Sequence, residues 1–132
     1  ACSAGRKLRA LPSACRRMGA AVKIYIAMKY TSGDNFENVK AAVDIAEKIA
    51  ARGHHPYVPH LSAFWNLIYQ HDYDFWMTLD RQFMLCCDAM YFSGQAGGAH
   101  DECKEFQALS RPIYNRIEQV PDCSEERNGH QT

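Results

Sequence analysis

Apolar runs of strand length alternate along the chain with stretches of helical periodicity. Residues 22–28 (V-K-I-Y-I-A-M) have the β-branched, apolar content of a buried strand. Residues 29–34 are polar and contain Gly33, a loop at that strand's carboxyl end. From Asn35 or Phe36 to about Arg52 the pattern becomes helical. Val39, Ala42, Val43, Ala46, Ile49 and Ala50 share one face, with Lys40, Asp44, Glu47 and Lys48 opposite. Gly53 is placed to end that helix.

Residues 55–59 (H-P-Y-V-P) read as a short second strand closed by Pro59. The aromatic stretch 60–69 predicts a short helix or flap, and Asp72 a cap for a helix over 73–87. Phe75, Trp76, Leu79, Phe83, Met84 and Cys87 form its expected inward stripe. Residues 88–92 give a third strand, about 99–110 another helix, and 112–114 a last short strand. Strands alternating with helices imply βαβ units, hence a doubly wound α/β sandwich of four or five parallel strands.

Composition narrows the picture. The 132 residues suffice for one domain, and a formal charge of zero leaves no overall footprint for a nucleic-acid polymer. No apolar run reaches the length of a membrane span. The six cysteines show neither a disulfide framework nor zinc spacing, which suggests reduced thiols and a cytoplasmic chain. Residues 1–21 are basic at Arg6, Lys7, Arg9, Arg16 and Arg17 and read as an extension, either a transit-peptide remnant or a tail outside the domain. The domain is expected over 22–121, followed by a polar tail over 122–132.

The chemistry-bearing candidates gather where ligands bind in open α/β sheets, at the carboxyl ends of the strands. Tyr25 lies in the first strand, Asp80 in the helix feeding the third, and Glu102 at the start of the helix after it. An ionised Glu102 has the chemistry of a nucleophile toward an electrophilic sugar carbon. Asp80 suits a general acid or base or a sugar-hydroxyl ligand, and Tyr25 suits holding the nucleophile. Each also has an ordinary explanation. Acids favour a helix's first turn, with Asp101 and Glu105 competing for any role given to Glu102. Asp80 also fits a solvated helix face, Tyr25 a core aromatic with a satisfied hydroxyl, His60 and His71 loop histidines, and Phe64-Trp65 core packing. The turn with Gly94, Gly97 and Gly98 lacks GxGxxG and a P-loop lysine.

A series of short motifs adds to this reading: K-I-Y-I-A-M at 23–28, E-N-V at 37–39, G-H-H-P-Y-V-P-H at 53–60, H-D-Y-D-F-W-M at 71–77, L-D at 79–80, C-D-A at 87–89 and G-A-H-D-E at 98–102. In this order, over about residues 22–121, the chain resembles the nucleoside 2-deoxyribosyltransferase-like superfamily. The likeness is greatest to its compact bacterial and phage branch, related to 2′-deoxynucleoside 5′-phosphate N-hydrolases. The resemblance implies a flavodoxin-like (Rossmann-like) three-layer sandwich. It implies cleavage of the N-glycosidic bond of a nucleoside or its 5′-monophosphate through a covalent glycosyl-glutamate, resolved by water or a second base. It places the nucleophile on Glu102, the family aspartate on Asp80 and the strand-one tyrosine on Tyr25. Substrate-binding positions are expected at Ala27, Met28, His60, Trp65, Gly94, Gly98 and Ala99, with the aromatic segment 64–73 walling the base. No metal or organic cofactor is implied, and the partners are a small nucleoside or nucleotide and further copies of the chain, a neighbouring subunit often completing the pocket. One position departs from the pattern: Ala96 stands where the family usually has Ser or Asp, six residues before Glu102. That departure gives an alternative, a non-catalytic nucleotide-sensing module of the same fold.

Overall fold

A computed structural model describes residues 20–28, 35–93 and 98–124. The strands β1 (Lys23–Ala27), β2 (His55–Tyr57), β3 (Ala89–Phe92) and β4 (Ile113–Tyr114) form one sheet in the order β2-β1-β3-β4, every pair parallel. The helices are α1 (Asn35–Ala51), α2 (Ser62–Ile68), α3 (Tyr73–Leu85) and α4 (Gly98–Gln107). The arrangement is α/β and flavodoxin-like, as expected, with four strands among the described residues.

The two-residue period of β1 decides which side chains meet which layer. Ile24 and Ile26 face one side, where they pack with Ala42, Ala46 and Ile49 of α1, with Ala89 and Tyr91 of β3, and with Val120. Tyr25 and Ala27 face the other, against Met84 of α3, Cys87, Met90 of β3, and Cys103 and Phe106 of α4. One polar hydroxyl is thereby carried into an apolar layer, and its partner there defines the site.

Local chemistry fixes the element ends. Asp72 caps α3, its side chain accepting from the Phe75 N–H at 2.9 Å. The helix stops at Leu85 rather than Cys87, in a tight turn in which the Cys87 N–H donates to Met84 O. Asp88 precedes β3 instead of opening it. Its carboxylate accepts from the Lys23 N–H and its own N–H donates to Lys23 O, tying the start of β1 to β3. Strand β2 ends at Tyr57 because Pro59, with no N–H for the ladder, opens a 3₁₀ turn over Pro59–Leu61. Helix α4 ends at Gln107 rather than at 110, and Ser110 takes a left-handed φ of 55°. Phe83, expected inward on α3, is 47% exposed, because Asp80, Met84 and Cys87 take the buried stripe and leave Phe83 lying over Tyr57.

Packing continues to Cys123, two residues past the expected domain boundary. The Cys123 N–H donates to Arg52 O at 2.8 Å, and the Arg52 guanidinium donates to Val120 O at 2.8 Å. Buried His54 bridges the layers: the Val22 N–H donates to its Nδ1, so Nε2 carries the proton and donates to Pro121 O. Gly53 sits at φ 92°, and a Cβ there would lie 2.9 Å from Cys123 Sγ and 3.0 Å from the Cys123 carbonyl. Backbone strain and collision act together, so Gly53→Ala is expected to cost about 2 kcal/mol, read as a lower urea midpoint.

Candidate active site

Tyr25, at the centre of β1 and fully buried, donates its hydroxyl proton to Glu102 Oε1 at 2.9 Å across 77 residues of sequence. Glu102 is the fifth residue of α4, so it stands past the first turn. The helix's positive end falls off within that turn. The Tyr25 hydroxyl, rather than the helix N-terminus, is therefore the group that stabilises the Glu102 anion. The competing acids point elsewhere: Asp101 occupies the first turn and is exposed, and Glu105 pairs with Arg81 of α3.

Asp80 is not a solvated helix-face charge. It is 9% exposed on the buried stripe of α3, and its Oδ1 has no hydrogen-bond partner among the described residues. Among those residues no Lys or Arg pairs with Asp80 or Glu102. Burial alone pushes the Asp80 carboxyl up to about 6. Glu102 is pushed up to about 7, by burial first; the Tyr25 hydrogen bond pulls it down, while the negative charges of Asp80 and Glu105 push it up. Burial, then the charges of Glu102 and Asp80, drive the Tyr25 hydroxyl far above its ordinary range, so Tyr25 acts only as a donor.

Tyr57 belongs to this cluster, and sequence reasoning passed over it. Its ring stacks on Tyr25 at 5.7 Å and on Phe83 at 4.9 Å. Its hydroxyl is pushed up to about 12 by burial, then by Asp80 and Cys87. The signal lay in the register, since Tyr57 is the direct neighbour of Tyr25 across β1 and β2. That register follows only once the sheet order is known.

The substrate-binding candidates divide. Ala27 is buried on the same face of β1 as Tyr25. Met28, just past the strand, offers its carbonyl to His60 Nε2 at 3.1 Å, which fixes the Pro59–Leu61 turn at the carboxyl end of β1. Gly98 and Ala99 open α4. Gly94, with Ala96, lies outside the described residues. The rings around Trp65 are His71, Phe75 and Trp76, a cluster between α2 and α3 rather than the Tyr25 group. Ser93, at the end of β3, has a buried Oγ without a partner among the described residues.

A buried and a half-buried carboxyl with no cation paired to them among the described residues suit a reacting centre that becomes positive, because each anion is stabilised as that charge develops. No family model and no curated protein matches this sequence. Among solved structures it is similar to the 2-deoxyribosyltransferase of the psychrotolerant bacterium Bacillus psychrosaccharolyticus, with 17% identity over 69% of each chain and a TM-score of 0.47.

Proposed function

We propose that this chain cleaves the N-glycosidic bond of a nucleoside or nucleoside 5′-monophosphate, with Glu102 as nucleophile. The observation that carries the reading is the 2.9 Å hydrogen bond from buried Tyr25 to half-buried Glu102, next to the buried carboxyl of Asp80, which no cation neutralises among the described residues. The ordered motif series supplies the substrate class.

Tyr25 holds one oxygen of Glu102 and leaves the other to attack the anomeric carbon of the sugar. As the new C–O bond forms, the C–N bond breaks and its electron pair leaves with the base. The transition state carries oxocarbenium character, which the two acids favour. Burial raises both carboxyls, Glu102 to about 7 and Asp80 to about 6, so near neutral pH the pair shares a proton; the reactive form is the one with the anion on Glu102, which the Tyr25 bond favours, and the proton on Asp80, where it can pass to the departing base. Water or a second base then attacks the glycosyl ester and frees Glu102. The unpartnered hydroxyl of Ser93 is a polar group at the strand end, available to a sugar or phosphate oxygen.

A second reading rests on Ala96: a module that binds the nucleotide without turning it over. Chromatography separates the two. The protein is incubated with ribo- and deoxynucleosides and their 5′-monophosphates, with and without a free acceptor base. Base freed without acceptor means a hydrolase, and exchange only with acceptor means a transferase. Saturable binding with no base released across the panel overturns the catalytic reading in favour of the binding module.

A further inference from the structure

An ion pair joins the two helices that carry the candidate acids. Arg81 of α3 donates through Nε to Glu105 Oε1 of α4. Each partner stands close to a carboxyl of the site. Arg81 directly follows Asp80, and Glu105 lies three residues beyond Glu102. At about 100° per residue, Glu102 and Glu105 come out roughly 60° apart and neighbours along α4. Both are half-buried, while Asp101 and Lys104 are exposed and Cys103 and Phe106 face the core. Three acids, Asp80, Glu102 and Glu105, thus gather at the seam between α3 and α4. Among the described residues the cation paired there is Arg81.

We propose that Arg81 is a positioning residue: by neutralising Glu105 it keeps a third negative charge from opposing the Glu102 anion. The role deepens the glycosidic reading and, as far as rate is concerned, rests on it. Burial is the first cause that holds the proton on Glu102, the charges of Asp80 and Glu105 add to it, and the bond from Tyr25 works against it. Arg81 acts on the Glu105 part alone, at its source and without touching Glu102. Like charges three residues apart on a helix oppose one another, and a half-buried carboxyl feels such a charge more than a solvated one does. The other groups facing Glu102 are Tyr25 from β1 and Asp80 from α3, whereas β3 presents Met90 and Phe92, neither of them charged. The Arg81 side chain is 59% exposed, and a pair that open to water adds little to folding. Its effect falls instead on the carboxyl beside it. A guanidinium suits the task because it stays charged across the whole working pH range.

Titration of Glu102 in the full chain tests this. Protein carrying carbon-13 in its glutamate side-chain carboxyls is followed by NMR across pH, and the Glu102 signal is assigned by its loss in Glu102→Gln. Arg81→Met keeps an apolar stem and removes the charge. It is expected to raise the Glu102 midpoint by about 0.5 in pH, a roughly threefold tighter hold on the proton. Glu105→Gln should lower the midpoint, the double variant Arg81→Met/Glu105→Gln should return it close to wild type, and Arg81→Lys should leave it there. A bridge that only held the helices together would loosen the Tyr25–Glu102 bond in either single variant. Both would then move the midpoint the same way, and the double variant would not restore it. That pattern, or no shift in either single variant, overturns the inference. Should Arg81→Met fail to fold, the downward shift of Glu105→Gln decides alone. Base-release rates separate the two readings. Midpoints that move as expected in a protein that frees no base keep the role of Arg81 toward Glu102 and overturn the glycosidic reading. Unmoved midpoints in an active enzyme do the reverse.

Discussion

Replacing Glu102 by Gln is expected to lower kcat/KM for base release by on the order of 10⁴-fold or more. The change keeps size and shape, and the amide oxygen still accepts the Tyr25 hydroxyl hydrogen bond seen at 2.9 Å. What disappears is the anionic oxygen that attacks. A group that only oriented the substrate would cost far less, typically about 10²-fold. The assay is chromatographic quantification of free base, with circular dichroism to establish that the variant is folded. Activity within tenfold of wild type would remove Glu102 from the reacting centre and leave Asp80, the buried carboxyl among the described residues, to replace it.

The loss is tied to geometry that the sequence carries only in part. Strand β1 and the apolar face of α1 follow from side-chain period, and Asp72 and Gly53 mark helix ends by their own local chemistry. Those features depend on residues a few positions apart, so a linear reading finds them. The Tyr25–Glu102 bond spans 77 residues and is legible in the sequence only through the expected sheet, whose strand ends gather the two residues, and through the order of the motifs. Tyr57 was missed because its place beside Tyr25 depends on which strands are neighbours and in what register. The burial of Asp80 escapes a linear reading because the expected stripe is made of apolar residues alone, Phe83 with Met84 and Cys87, whereas the folded helix buries Asp80 with Met84 and Cys87 and leaves Phe83 exposed. Helix α2 was read as aromatic core or flap, since hydrophobicity alone does not say on which side a seven-residue helix finds its protein. Residues 122 and 123 fall in the expected tail because the hold on Cys123 runs through backbone: its N–H donates to the Arg52 carbonyl, an acceptor any residue would offer.

Asp80→Asn should make the protein more stable and less active, with the stability gain depending on pH. An ordinary Asp in the unfolded chain titrates near 3.9, whereas burial holds native Asp80 up to about 6. The native state therefore binds the proton more tightly than the unfolded state, and ionisation is a cost borne by the fold. Stability from this group is greatest below about pH 4, declines between about pH 4 and pH 6, and is level above that. Asparagine has no charge to desolvate, so the variant should match wild type near pH 4 and exceed it at pH 8. A shift of about two pH units corresponds to at most about 3 kcal/mol, and water reaching the open side of the site reduces that to about 1–2 kcal/mol. In a chain of this size the gain appears as a Tm higher by about 5 °C at pH 8. Activity should move the other way, by about 10²- to 10⁴-fold, as the proton for the leaving base is lost. Thermal melts at the two pH values, beside base-release rates, test both directions at once. An Asn variant less stable than wild type at pH 8 would mean that the Asp80 anion has a favourable partner in the fold. The carboxyl would then be a structural anchor rather than a strained functional group.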